Sequence, residues 1–301
     1  MKSRLCFSFL SLSFIILIVF FACRKSNTAN HDTSTDPSGD TTVRTNSLSC
    51  NPPDYGDSII YLKNNGANYT VSPLNDTLPG KWFSWPEGLA LDSTNGNINV
   101  SQSETGERYK IAYVKNGTHD TCVSQIILGG ITYLDSVYVL QNNDTLAIPI
   151  YNANPNTPPV CDNSGDTDYP GSNGNGQGNG NSKCQFDVDP PKGQANDNGL
   201  KVRTISGIIN LKKTLTDGKA FGSATPANGT TTKITVQYRL NDNSGKALQH
   251  IQVQLMYYNK VSDIPASLMN DVKNKRNNFL NYKIVNGRPR PPMLILAGFA
   301  Q

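Results

Sequence analysis

Few residues in this chain can do acid–base or nucleophilic chemistry, and they are scattered. The three histidines are His31, His119 and His250. His31 precedes Asp32 in the polar tether, and His119 precedes Asp120 in the turn-forming run between Asn116 and Cys122. Such a pair can orient a general base, but no nucleophile accompanies it, so it reads as a hydrogen-bonded loop. His250 stands in an alternating run, on the face opposite Ile251 and Val253. Gly56-Asp57-Ser58 offers a serine. Asn51-Pro52-Pro53-Asp54 precedes it, where a strained nucleophile needs a buried strand, and the chain holds neither Gly-x-Ser-x-Gly nor Asp-x-x-His. The stretch reads as a turn entering a strand. The sequence therefore predicts no enzyme, with an envelope hydrolase as an alternative that has no motif behind it.

Metal chemistry has two sets of candidates. Asp162, Asp166 and Asp168 lie in a glycine-rich run, but Pro170 and Gln177 stand where an EF-hand needs a ligand and a bidentate glutamate. Asp187, Asp189 and Asp197 are better spaced for calcium, against the simpler reading of solvated loop acids. Zinc has no Cys-x-x-Cys, only His119 near Cys122. Cys50, Cys122, Cys161 and Cys184 are even in number and suit disulfides. Of the three pairings, Cys50–Cys122 and Cys161–Cys184 tie the ends of one module and of the Gly/Asn-rich run. Trp82, Phe83 and Trp85 are the one tryptophan cluster. Exposed together they could stack on sugar rings or anchor a protein partner; otherwise they close a core.

The start of the chain bears on location. Lys2 and Arg4 precede an apolar run from Phe7 to Ala22, shorter than the ~20 residues that span a bilayer. The run closes on Phe20-Phe21-Ala22-Cys23, which resembles the lipobox of bacterial lipoproteins. That resemblance implies cleavage before Cys23 and acylation of its thiol and new amino group. Arg24 in place of the aspartate that retains lipoproteins at the inner membrane implies residence in the outer membrane. Residues 24–49 are polar and nearly devoid of apolar side chains, so they read as a disordered tether about 28 Å from end to end as a coil. The net charge of +4 becomes +2 once Lys2 and Arg4 leave, with no basic run, which argues against nucleic-acid binding.

The elements between are short and β-like. Trp85 to Val100 reads strand, turn, strand: Leu89 and Leu91 alternate with Ala90, Asn95-Gly96 suits a tight turn, and Ile98 and Val100 alternate again. Leu89–Thr105 lies over Leu200–Thr216 without a gap. Leu89/Leu200, Gly96/Gly207, Ile98/Ile209, Asn99/Asn210 and Thr105/Thr216 are identical, at the turn and the buried alternations where a repeat is constrained. Further strands are expected over Ser58–Leu62, Tyr109–Val114, Val123–Leu128, Ile131–Leu140 and Thr145–Ile150. A hairpin is expected over Ile234–Tyr257, whose sheet edge could serve adhesion. Ser262-Asp263-Ile264-Pro265 opens a helix carrying Leu268, Val272 and Phe279.

The motif resembles the Ig-like, dystroglycan-type cadherin-like modules of bacterial surface proteins, through Pro86, Gly88, Leu89, Leu91, Asp92, Gly96, Ile98, Gly106 and Tyr109. Asn95 replaces the usual threonine, and the family's Gly-x-Pro is absent at Asn99-Val100-Ser101. The resemblance implies β-sandwiches. The expected organisation is an all-β protein: signal peptide 1–22, tether 23–49, Ig-like module 50–160, linker 161–183, Ig-like module 184–301 with one short helix near the C-terminus. The expected role is a lipid-anchored cell-envelope protein, non-catalytic, binding or structural. A glycan-binding accessory protein of the outer membrane using Trp82, Phe83 and Trp85 is the alternative. The partners are the membrane and a glycan or cell-surface protein.

Overall fold

The computed structural model describes residues 51–63, 68–75, 79–161, 184–187, 194–287 and 289–299. The leader, the tether, Cys50 and residues 162–183 fall outside them.

Two sheets carry the fold, and both are β throughout. The first holds β1 (Ile59–Ile60), β2 (Gly80–Trp85), β3 (Glu107–Lys115) and β4 (Thr121–Leu128) in the order β1-β4-β3-β2. The second holds β5 (Ser136–Val139), β6 (Gln185–Phe186), β7 (Thr230–Arg239), β8 (Gln249–Lys260) and β9 (Met293–Phe299) in the order β5-β9-β8-β7-β6. In each, an antiparallel hairpin forms the centre, β3 with β4 and β7 with β8. Asn116-Gly117 closes the first hairpin, with Gly117 at φ +75°. An antiparallel strand flanks each hairpin on one side, β2 on β3 and β6 on β7. On the other side β1 pairs parallel with β4. The second sheet departs here: β9 enters between β8 and β5, parallel to both.

Each sheet is faced by a short antiparallel ladder, Thr70–Val71 with Ile98–Asn99 and Leu146–Ala147 with Ile209–Asn210. Ile98, Val100, Trp82, Tyr109 and Ile111 fill the first core; Val202, Ile209, Val236, Tyr238 and Leu255 belong to the second. The duplicated motif is the same object in both. Its two arms meet at Leu91–Ile98 and Val202–Ile209. Its turn glycine lies at φ +77° in Gly96 and +70° in Gly207, a region open to glycine without strain. Tyr55 and Tyr133 each donate a phenol hydrogen to that glycine's carbonyl, at 2.7 and 2.6 Å. Trp82 faces Tyr113 and Phe186 faces Tyr238 across paired strands, with ring centroids 5.0 and 5.9 Å apart.

These matches move the expected boundary. Ser136–Val139 lies in the second sheet, and Leu146–Ala147 pairs with Ile209–Asn210. Residues 136–139 and 146–147, expected in the first module, thus pair with strands expected in the second. The Gly/Asn-rich run has second-module residues on both sides. Composition marked it as unable to bury a core, which is true of an inserted loop as much as of a linker. The hairpin expected at Ile234–Tyr257 is present; β9 runs along β8, while β6 pairs only with Tyr238 and Arg239 of β7. Helix α1 spans Gln194–Asp197, α2 Leu211–Asp217 and α3 Ala266–Leu280. The last is the helix expected near the C-terminus, with Val272 buried and Leu268 packed beside Ile264 and Ile295.

Candidate functional site

The aromatic cluster is split by strand alternation. Trp82 is 2% exposed, while Phe83, on the opposite face of β2, is 51% exposed, and Trp85 is half-buried. Trp82 is thus a core residue, and the three rings form no common platform. His119 and Asp120 are exposed at the β3–β4 turn, and His250 is exposed on β8. Ser58 enters β1, where its carbonyl accepts from the Ile127 amide. Asp187 is buried and caps α1: Oδ1 accepts from the Ala195 amide at 2.9 Å, and Oδ2 from the amide and side chain of Asn196 at 2.8 and 2.9 Å. Burial raises its pKa, and these bonds oppose the rise. Its oxygens are thus occupied by the helix start; Asp197 is exposed, and Asp189 lies outside the described residues. No group of three His, Cys, Asp or Glu converges among the described residues. Cys161 and Cys184 form a disulfide. Cys122 is also disulfide-bonded; its expected partner Cys50, like Cys23, lies outside the described residues.

The residues that do converge are at the seam between the two sheets. Tyr238, on β7, places its hydroxyl 3.1 Å from Thr105 Oγ1 and 3.3 Å from the Ile131 amide, and donates to Gln249 Oε1 at 3.2 Å. Arg290 reaches back from the segment before β9. Its Nη2 donates to the carbonyls of Gly106 and Ile131 at 2.8 and 3.1 Å, and its Nε lies 4.0 Å from Glu107 Oε2. Gly106 is needed for this approach, since a Cβ there would come within 2.2 Å of the Ile131 carbonyl oxygen. Burial raises the Glu107 pKa, and Arg290 is the strongest opposing influence. The next residue, Arg108, is held between the rings of Phe279 and Tyr282, 4.7 and 4.8 Å from their centroids. Its Nη2 donates to the Phe279 carbonyl at 2.6 Å.

Two hollows open along this seam. The larger, about 660 Å³, is lined by Ser101, Gln102, Ser103, Thr105, Gln249 and Gln252, with Lys233 and His250 at its rim. The smaller, about 220 Å³, lies between β3, α3 and the segment at Lys283–Pro289. Sequence reasoning passed over Glu107, Arg108, Tyr238 and Arg290. The available signal was two adjacent charges, Glu107-Arg108, opening a strand that is otherwise apolar on one face.

No protein-family model and no curated protein matches the chain. Among solved structures it is similar to a SusE-like surface-located polysaccharide-binding protein from the heparin utilisation locus of Bacteroides thetaiotaomicron. Identity is 8% and the TM-score 0.20, over 65% of this chain and 32% of that one. It is also similar to the EC1–2 pair of human protocadherin-24, at 8% identity and TM-score 0.20, over 65% of this chain and 91% of that one.

Proposed function

We propose that this chain is a lipid-anchored protein of the cell envelope with a non-catalytic binding role. The observation that carries the reading is the order of parts: a short apolar leader closing on Ala22-Cys23, a polar tether, then two disulfide-bearing β-modules of one design. Acyl chains on Cys23 anchor the protein, since each buried methylene contributes ~0.8 kcal/mol, and the tether holds the modules away from the bilayer. Among the described residues no helix is long and apolar enough to cross a membrane. Fractionation tests the reading. Wild type is expected with the outer membrane and Cys23→Ala in the soluble periplasmic fraction; wild type recovered as a soluble protein would contradict it.

The ligand class favoured by the larger hollow is a glycan. Six hydroxyl- or amide-bearing side chains line it beside apolar ones such as Leu62, Leu248 and Ile251; hydroxyls and amides both donate and accept, as a polyhydroxylated ligand requires. Phe83 and Trp85 on β2 do not line this hollow. Affinity electrophoresis through polysaccharide-containing gels is expected to show retardation that Gln252→Ala reduces. Equal mobility in all gels would remove the glycan reading while leaving the anchored protein intact.

A further inference from the structure

The smaller hollow holds a buried guanidinium with an unmade hydrogen bond. Arg108 is 2% exposed, and the side chain of Arg290 is 8% exposed. Glu107 is the buried carboxylate between them, and it acts on both guanidiniums. Arg290 spends its Nη2 on two carbonyls. Arg108 spends its Nη2 on one, but its Nη1 is buried without a hydrogen-bond partner. An unmade bond on a buried guanidinium is costly, and the cation–π contacts with Phe279 and Tyr282 offer no acceptor for that hydrogen. Arg108 lines the hollow.

We propose that this hollow binds a carboxylate group, with Arg108 Nη1 as its buried donor. At about 220 Å³ it admits one small ring or a short organic acid rather than a chain. Among the described residues, the other ionisable groups lining it are Glu107 and Asp135, Asp271 and Lys275 on α3, and Lys283. Asp271 and Lys275 pair with one another at 3.5 Å, leaving Lys283 to add to the positive field. Asp135 opposes the ligand when ionised. Burial raises its carboxyl to about 6, against the Met293 amide that donates to Oδ1 at 3.0 Å. Below that pH it is protonated, no longer repels the ligand and can donate to it. A ligand carboxylate stays ionised there, so binding tightens as pH falls through about 6. The site is separate from the larger hollow and does not rest on its glycan reading.

Calorimetric titration of the full chain in detergent with galacturonate, lactate and galactose tests the proposal. Saturable binding of galacturonate is expected, about tenfold tighter near pH 5 than near pH 7.5, the effect of removing one nearby like charge. Galactose is expected not to bind here. Lactate binding alongside galacturonate would support a simple organic acid as the source of the carboxylate; galacturonate alone would support an acidic sugar. Arg108→Gln is expected to abolish binding. Should that variant unfold, Asp135→Asn is the second readout: it keeps binding and loses the pH dependence. The proposal is overturned if no carboxylate binds near pH 5, if a folded Arg108→Gln variant keeps galacturonate binding, or if Asp135→Asn keeps the pH dependence.

Discussion

Ser103 and Thr214, 111 positions apart, make the same two hydrogen bonds. Each hydroxyl donates to the carbonyl of a capping asparagine, Asn99 at 2.7 Å and Asn210 at 2.8 Å. Each accepts a backbone amide from the opposite arm of its motif, Ala90 at 2.9 Å and Lys201 at 3.0 Å. The asparagines repeat as well: their side chains accept from the Gln102 and Lys213 amides and so start a 3-10 turn and α2. Thr214→Val, which keeps the shape and removes the hydroxyl, is expected to destabilise the protein by about 1–3 kcal/mol, because it strands a donor. Ser103→Ala is expected to cost less, since its site is only part-buried. Urea unfolding followed by circular dichroism measures both.

Gly96 and Gly207 test the turn itself. A Cβ at Gly96 would fall 2.7 Å from the Trp82 ring, and one at Gly207 2.4 Å from the Phe186 ring. Alanine at either position adds this overlap to a left-handed backbone, so a loss of at least ~1–3 kcal/mol is expected from each. Near-ultraviolet circular dichroism is expected to change for Gly96→Ala, where the tryptophan must shift.

The Cys161–Cys184 disulfide closes a span of 23 positions inside the second module. Both cysteines are buried in that module's core beside Phe186 and Leu240. Cys161→Ser with Cys184→Ser is expected to lower stability by about 3 kcal/mol, through the freedom returned to the unfolded chain. Unfolding of wild type in reducing buffer is expected to show at least this loss, since the disulfide at Cys122 is reduced as well.

Stability should also depend on pH through Asp135. Its folded pKa of about 6 is above the ordinary aspartate value of 3.8, so between these values the folded state holds the extra proton. Its contribution is fully present below the unfolded value and is lost as pH rises through about 6. Glu107 is raised as well and acts with the same sign. Asp135→Asn is expected to flatten the fall in melting temperature between about pH 4 and 7. An unchanged profile in that variant would assign the effect to other groups.

What the sequence made legible was local. The hairpin turns at Asn95-Gly96 and Asn116-Gly117, the alternation of β7 and β8, and the helix after Pro265 all follow from patterns within a dozen residues. The boundary between modules does not, because β5 finds its partner in β9, with Leu294 opposite Ser136. The duplication showed over only 17 positions, since the rest of each module conserves roles rather than residues: Trp82 and Phe186 under their glycines, Tyr55 and Tyr133 on the same carbonyl. The tryptophan cluster misled because adjacent positions on a strand face opposite ways. The seam was hidden because Arg290 lies in a Pro-rich segment whose sequence speaks only of extended backbone, while its partners Gly106 and Ile131 are more than 150 positions away.

The account stands most directly on the mature amino terminus. Intact-mass and fragment spectrometry of the protein extracted from outer membranes is expected to show a chain beginning at Cys23, carrying a thioether diacylglycerol and an amide-linked acyl chain. A mature chain that begins at any other residue, or an unmodified Cys23, would contradict it.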